Sequence, residues 1–226
     1  EGIRKDYLKI SYKDGGSLFI PTTGMDLIQK YIGAEGREPR LNKLGGTEWT
    51  KAKARVKESL KVLAADLIRI QAERRNTKGY AFSPDTVWQK RFEETFAFEE
   101  TPDQLKCVNE IKADMESEFI MDRLLCGDVG YGKTEVAIRA AFKAVMDSKQ
   151  AAFLVPTTVL ASQHFETLKK RFSGFPIKVE MLSRFRTDAE QKAIIRDLKS
   201  GRIDIIVGTH MILGESVKFK DLGLLV

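Results

Sequence analysis

Residues 127–134 read Gly-Asp-Val-Gly-Tyr-Gly-Lys-Thr and match G-x-x-x-x-G-K-[ST] at every fixed position. Residues of these types at this spacing do phosphate chemistry. Glycines let backbone amides approach phosphate oxygens, the lysine reaches β- and γ-phosphates, and the hydroxyl ligates Mg²⁺. Gly127, Asp128, Val129, Gly130, Tyr131, Gly132, Lys133 and Thr134 are therefore candidate ATP-binding residues. Lys133 and Thr134 are the candidate catalytic pair, with Thr134 reaching the metal through the nucleotide. The context suits the motif. A strand is predicted at Arg123–Cys126 and an alanine-rich helix at Thr134–Met146, whose positive end faces the loop.

Further groups flank this loop. Upstream, "FAFEETPDQLKCVNEI" places Thr101 and Gln104 about a helical turn apart, behind Phe96 and Phe98. A glutamine amide can pair with adenine's edge and an aromatic ring can stack on the base. The same T-P-D-Q is also an ordinary helix start, with Thr101 as cap and Pro102 in the first turn. Downstream, predicted strands end in Pro156-Thr157-Thr158, in Ser183-Arg184-Phe185-Arg186 and in Gly208-Thr209-His210. Short hydroxyls, free amides and arginines at a sheet's carboxyl edge suit a nucleic-acid backbone, held without base reading. His164 and His210 stand isolated, without the Cys or acidic ligands of a metal site.

The elements that must position these groups fall into three regions. Residues 1–45 read as a hairpin and turns: Leu8, Ile10 and Tyr12 alternate, Asp14-Gly15-Gly16 turns, and Leu18 and Ile20 resume. One hairpin is too small to stand alone, so this is the end of a small β module or packs on the rest. Residues 46–80 predict a long connector helix from Thr47 to Arg75. Trp49, Ala52, Val56, Leu60, Leu63, Leu67 and Ile70 form one apolar stripe, opposite a basic face of lysines and arginines. That face reads either as solvated surface or as one that follows DNA or an acidic partner. From residue 81, strands at Ala151–Val155, Ile177–Leu182, Ile203–Val207 and Leu222–Val226 alternate with helices at Thr134–Met146, Val159–Phe172 and Ala189–Leu198. Such alternation predicts an α/β fold with a parallel sheet.

Composition sets outer bounds. The 226 residues are 42% hydrophobic and 31% charged, with a formal charge of +6 that weakly favours a nucleic-acid partner. No apolar run approaches the roughly 20 residues of a membrane span, so no membrane partner is expected. Two cysteines, Cys107 and Cys126, are too few for a disulfide framework. Cys126 ends an apolar run and is expected to be buried and reduced, which suits the cytoplasm.

The phosphate loop, "PTT", "SRFR" and "GTH", in this order, resemble the first motor lobe of superfamily 2 helicases. Within them, "DRLLCGDVGYGKTEVAIRAAF", "LVPTTVLASQHF" and "DIIVGTH" are most similar to the bacterial transcription-repair coupling factors, with the RecG fork helicases next. "LNKLGG" before a tryptophan-bearing helix looks like the coupling factors' connector between an RNA polymerase-interacting domain and the motor. The resemblance implies a RecA-like P-loop lobe over residues 81–226. It implies ATP and Mg²⁺ at Gly127–Thr134, with Gln104 and the aromatic Phe98 at the base. It places DNA backbone at Thr157, Thr158, Arg184, Thr209 and His210. It also implies double-stranded DNA, RNA polymerase and excision-repair proteins as partners of the parent, the last through regions outside this chain. In that family an acidic box follows the strand matching "LGLLV", and a second lobe brings an arginine to the γ-phosphate. The sequence begins without methionine and ends at Val226, so it is expected to be an internal segment with negligible turnover alone. A RecG-type lobe and a mainly protein-docking fragment are the alternatives.

Overall fold

The computed structural model describes residues 6–30 and 41–226. The parts of the expected β module at residues 1–5 and 31–40 lie outside the described residues. The chain divides into two compact units, Glu1–Ala72 and Glu73–Val226.

In the first unit, β1 (Tyr7–Ser11) pairs antiparallel with β2 (Ser17–Pro21), Tyr7 facing Pro21 and Ser11 facing Ser17. The predicted hairpin therefore forms. Asp14 and Gly15 take φ of 65° and 78°, the left-handed turn that matches strand twist. The helix α1 (Thr47–Asn76) has 30 residues, about 45 Å at 1.5 Å per residue. Its start agrees with the predicted Thr47, but the apolar stripe does not become a buried face. No residue of α1 is buried, and Trp49, Val56, Leu60, Leu63 and Leu67 are all exposed. The 3.6-residue period specifies a helix; burial needs an opposing apolar surface, which spacing does not supply.

In the second unit, α2 (Val87–Glu94) and α3 (Pro102–Met115) precede α4 (Lys133–Met146), β3 (Gln150–Leu154), α5 (Thr158–Arg171), β4 (Val179–Leu182), α6 (Asp188–Ser200), β5 (Ile205–Gly208) and β6 (Leu222–Leu225). Hydroxyl caps start four of these helices. The Thr86, Thr101, Thr157 and Thr187 side chains accept from backbone amides in the first turns of α2, α3, α5 and α6. The sheet is parallel throughout, in the order β4-β5-β3-β6. Strand alternation feeds two cores. Ala151, Phe153, Met181, Ile205 and Val207 face the layer of α2, α3, α4 and α5, where Phe92, Phe142 and Phe172 stack. Ala152, Leu182 and Ile206 face the other side, against Ile194 and Leu198 of α6.

Two expectations fail together. Arg123–Cys126 is not a strand: among the described residues no ladder joins it to the sheet, and Leu124 is 86% exposed. Side chains hold this segment instead, with Arg123 donating to Asp114 and Glu110 of α3 at 2.7 Å each. Cys126, expected to be buried, is consequently exposed, because burial there depended on joining the sheet.

Candidate functional site

The phosphate loop is built by backbone conformation. Gly130 and Gly132 have φ of 88° and 70°, a region costly to residues with a Cβ. Gly132 caps α4, so Lys133 and Thr134 open a helix whose free amides and positive end face the loop. The Lys133 ammonium donates to the carbonyls of Gly127 and Asp128, at 2.6 Å each. No carboxylate among the described residues pairs with it. An ammonium held only by carbonyls, beside free helix amides, has the donors to exchange them for the charge-assisted bonds of a phosphate. The residues present therefore fit a nucleotide triphosphate.

Gln104 lies against this loop. Its amide donates to the Tyr131 carbonyl at 3.0 Å while its oxygen accepts from the Thr101 amide at 2.9 Å. The second bond completes a capping box, so the helix-start reading of T-P-D-Q holds literally, and both amide ends are committed. Gln104, Gly127, Asp128, Tyr131 and Lys133 line a cavity of about 210 Å³ together with Cys107 and Cys126. Phe98 is not in it. That ring is 74% exposed and lines a neighbouring cleft of about 630 Å³ with Thr134, Glu135 and Arg171. Val129 and Gly130 sit at the exposed tip of the loop.

The backbone-holding candidates converge by topology. β4, β5 and β3 are parallel neighbours, so the loops after Leu182, Gly208 and Leu154 emerge side by side, about 5 Å from strand to strand. α4 leads into β3, which puts the phosphate loop at that same end of the sheet. Thr157 caps α5 and Thr158 begins it; Arg184 is exposed, its guanidinium 5.7 Å from the Phe185 ring. Thr209 is buried, whereas His210 is exposed.

Sequence reading missed a buried charge cluster beside the loop. Glu135, next to Thr134, accepts from Arg139 at 3.0 Å and from Arg171 at 2.9 and 3.0 Å. Arg139 is 2% exposed and also donates to Glu100 at 2.7 Å. Burial would lower the Arg139 pKa, yet its bonds to Glu100 and Glu135 hold it above the ordinary value. The bond from Arg139 in turn keeps the Glu100 carboxyl below the usual carboxylate range. A signal was present in the i, i+4 pair Glu135 and Arg139 within an alanine-rich helix. Arg171, far along the chain, gave none.

The DEAD/DEAH box helicase profile matches residues 101–226, more than half of the chain. The chain belongs to the DEAD/DEAH box helicase family. Membership implies binding of a nucleotide with a metal ion, and the fold is the RecA-like α/β lobe. This helicase-family chain is 57% identical over 225 residues to the transcription-repair-coupling factor of Bacillus subtilis, covering 100% of the chain and 19% of that protein. It is 55% identical over 224 residues to the one from Staphylococcus haemolyticus, again 19% of the relative's length. The chain thus spans about a fifth of these relatives. A solved structure of RecG bound to a three-way DNA junction matches 82% of the chain and 26% of its own, at 37% identity and a TM-score of 0.67.

Proposed function

We propose that this chain is the nucleotide-binding part of an ATP-dependent double-stranded DNA translocase that displaces stalled RNA polymerase and couples transcription to excision repair. One observation carries the reading. Three polar strand-end loops emerge side by side on the sheet edge that holds an uncompensated P-loop lysine. In this reading Lys133 and Thr134 hold the Mg·ATP phosphates, and Gln104 exchanges its bond to the Tyr131 carbonyl for the nucleotide's adenine. Phe98 stacks on the base. Thr157, Thr158, Arg184, Thr209 and His210 hold DNA phosphates, so duplex is gripped whatever its sequence. Residues 1–45 belong to a module that docks RNA polymerase, residues 46–80 connect it to the motor, and residues 81–226 form the first motor lobe. Excision-repair proteins meet other parts of the parent, which works in the cytoplasm.

The 226 residues bind ATP without appreciable turnover. Among the described residues, the carboxylates lining the phosphate cavity belong to Asp103 and Asp128; Lys133 bonds neither carboxylate and reaches Asp128 through its backbone carbonyl. Arginine-finger chemistry, worth roughly 10³-fold or more, is not supplied by the cavity's lining residues. The 57% identity across the whole chain favours a coupling factor over a fork helicase, which the RecG likeness at 37% keeps second. The test is steady-state ATP hydrolysis by this chain with and without duplex DNA, beside titration with Mg·ATP. Nucleotide binding that Lys133→Ala removes, without turnover, is expected. DNA-stimulated hydrolysis that Lys133→Ala abolishes would instead show a complete catalytic site within these residues.

A further inference from the structure

The segment that carries Phe98, residues 95–101, has no helix or strand to hold it. It is pinned at both ends by guanidiniums, one buried (Arg139) and one half-buried (Arg171). Arg171 donates to the Thr95 hydroxyl at 2.6 Å, and Arg139 donates to the Glu100 carboxylate at 2.7 Å. Both guanidiniums converge on one carboxylate, Glu135, the residue after Thr134 in the first turn of α4. The Phe96 ring is near both, 5.3 Å from the Arg139 guanidinium and 5.8 Å from that of Arg171. Phe98 meets Phe96 edge-on, with centroids 5.5 Å apart, and projects into the cleft that Thr134 also lines.

Stability alone does not account for this arrangement. Exchanging a buried ion cluster for apolar residues of similar volume is often neutral or stabilising, whereas removing one partner is costly. What the cluster supplies is direction. Two planar, forked donors that share one acceptor tie both ends of the segment to α4 with directional, charge-assisted bonds, which non-directional apolar packing does not supply.

We propose that Arg139 and Arg171, through Glu135, are positioning residues that set the distance between the base-stacking Phe98 and the phosphate loop, and so decide how well a nucleoside triphosphate spans the two. The inference rests on the reading of Phe98 as the platform for the base. It goes further in making affinity for the base, separately from affinity for the phosphates, a property of the cluster. Misplacement of a binding group by about 1 Å is enough to cost large factors in a preorganised site.

The test compares two ligands on the 226-residue chain: Mg·ATP, which has a base, and Mg·tripolyphosphate, which has none. Arg171→Gln is expected to weaken ATP about tenfold, to reduce the ATP-over-GTP preference, and to leave tripolyphosphate within about twofold. Arg171→Lys, which restores charge without the fork, is expected to behave like the glutamine variant. If Arg171→Gln does not fold, Thr95→Val removes one anchor only and is expected to shift the same ratio in the same direction. Equal weakening of both ligands, or no change in either, overturns the inference. Phe98→Ala separates the two levels. If it leaves the ATP-to-tripolyphosphate ratio unchanged, the platform reading fails and takes the inference with it. If it lowers the ratio while the Arg171 and Thr95 variants do not, the positioning role alone is wrong. Absence of ATP binding by the unsubstituted chain removes both.

Discussion

An added Cβ at Gly132 would lie 2.4 Å from the Gln104 amide nitrogen, on a residue whose φ is +70°. Gly132→Ala therefore incurs two separable costs. The left-handed conformation costs an alanine roughly 1–2 kcal/mol. Displacing Gln104 breaks its bond to the Tyr131 carbonyl, about 1 kcal/mol net. Lower entropy of the unfolded chain returns roughly 0.4–1 kcal/mol, leaving about 2 kcal/mol of destabilisation. Gly130→Ala supplies the control. Its φ is +88° but nothing lies within 4 Å of the added carbon, so only strain applies and about 1 kcal/mol is expected. The difference of about 1 kcal/mol is the Gln104 interaction, and it should vanish in a Gln104→Ala background, where the two alanines cost the same. Urea denaturation reads the lobe selectively if Trp49 is first replaced by phenylalanine, leaving Trp88 of α2 as the single tryptophan of the chain. Equal costs for Gly130→Ala and Gly132→Ala, or strict additivity of Gly132→Ala with Gln104→Ala, would refute the placement of Gln104 on the loop.

Burial pushes the Asp85 carboxyl up, but hydrogen bonds from Lys112 and Lys143 outweigh it and hold its pKa below the ordinary value. Its contribution to stability is therefore complete above the ordinary carboxylate pKa and is lost as pH falls through the lower folded value. Asp85→Asn is expected to flatten the acid limb of stability below about pH 4 and to cost about 1–3 kcal/mol at neutral pH. Buried Lys143 then keeps Glu116 as its one carboxylate partner, beside the Ser83 carbonyl and the uncharged amide oxygen at position 85. Parallel acid limbs in urea titrations of the two proteins would rule this out. Arg184→Ala should weaken duplex DNA binding alike for all sequences and reduce the slope of log K against log salt by about 1. An unchanged slope would mean that Arg184 touches no phosphate.

Much of the architecture is legible in one dimension, and for local reasons. Glycines at 130 and 132 take the left-handed conformations of the loop that brings Lys133 and Thr134 to a helix start. Threonines at 86, 101, 157 and 187 announce helices by satisfying amides within their own first turns. Apolar runs locate β3, β4, β5 and β6 within about two residues, because parallel strands are buried on both faces. The helix α2 is absent from the sequence-based expectations, because eight residues are too few for a clear apolar period, although Thr86 carries its cap. What the sequence could not decide depends on partners distant along the chain. The pattern of Arg123–Cys126 is competent for a strand, but a strand exists only where a neighbour offers a ladder, and here Arg123 turns to α3 instead. The same lack of a ladder leaves Cys126 exposed. The stripe on α1 determines a helix without determining what, if anything, covers it. The cluster of Glu100, Glu135, Arg139 and Arg171 draws charges from three separated segments to one point. Only the folded chain brings them within hydrogen-bonding range, and only burial makes their geometry exacting.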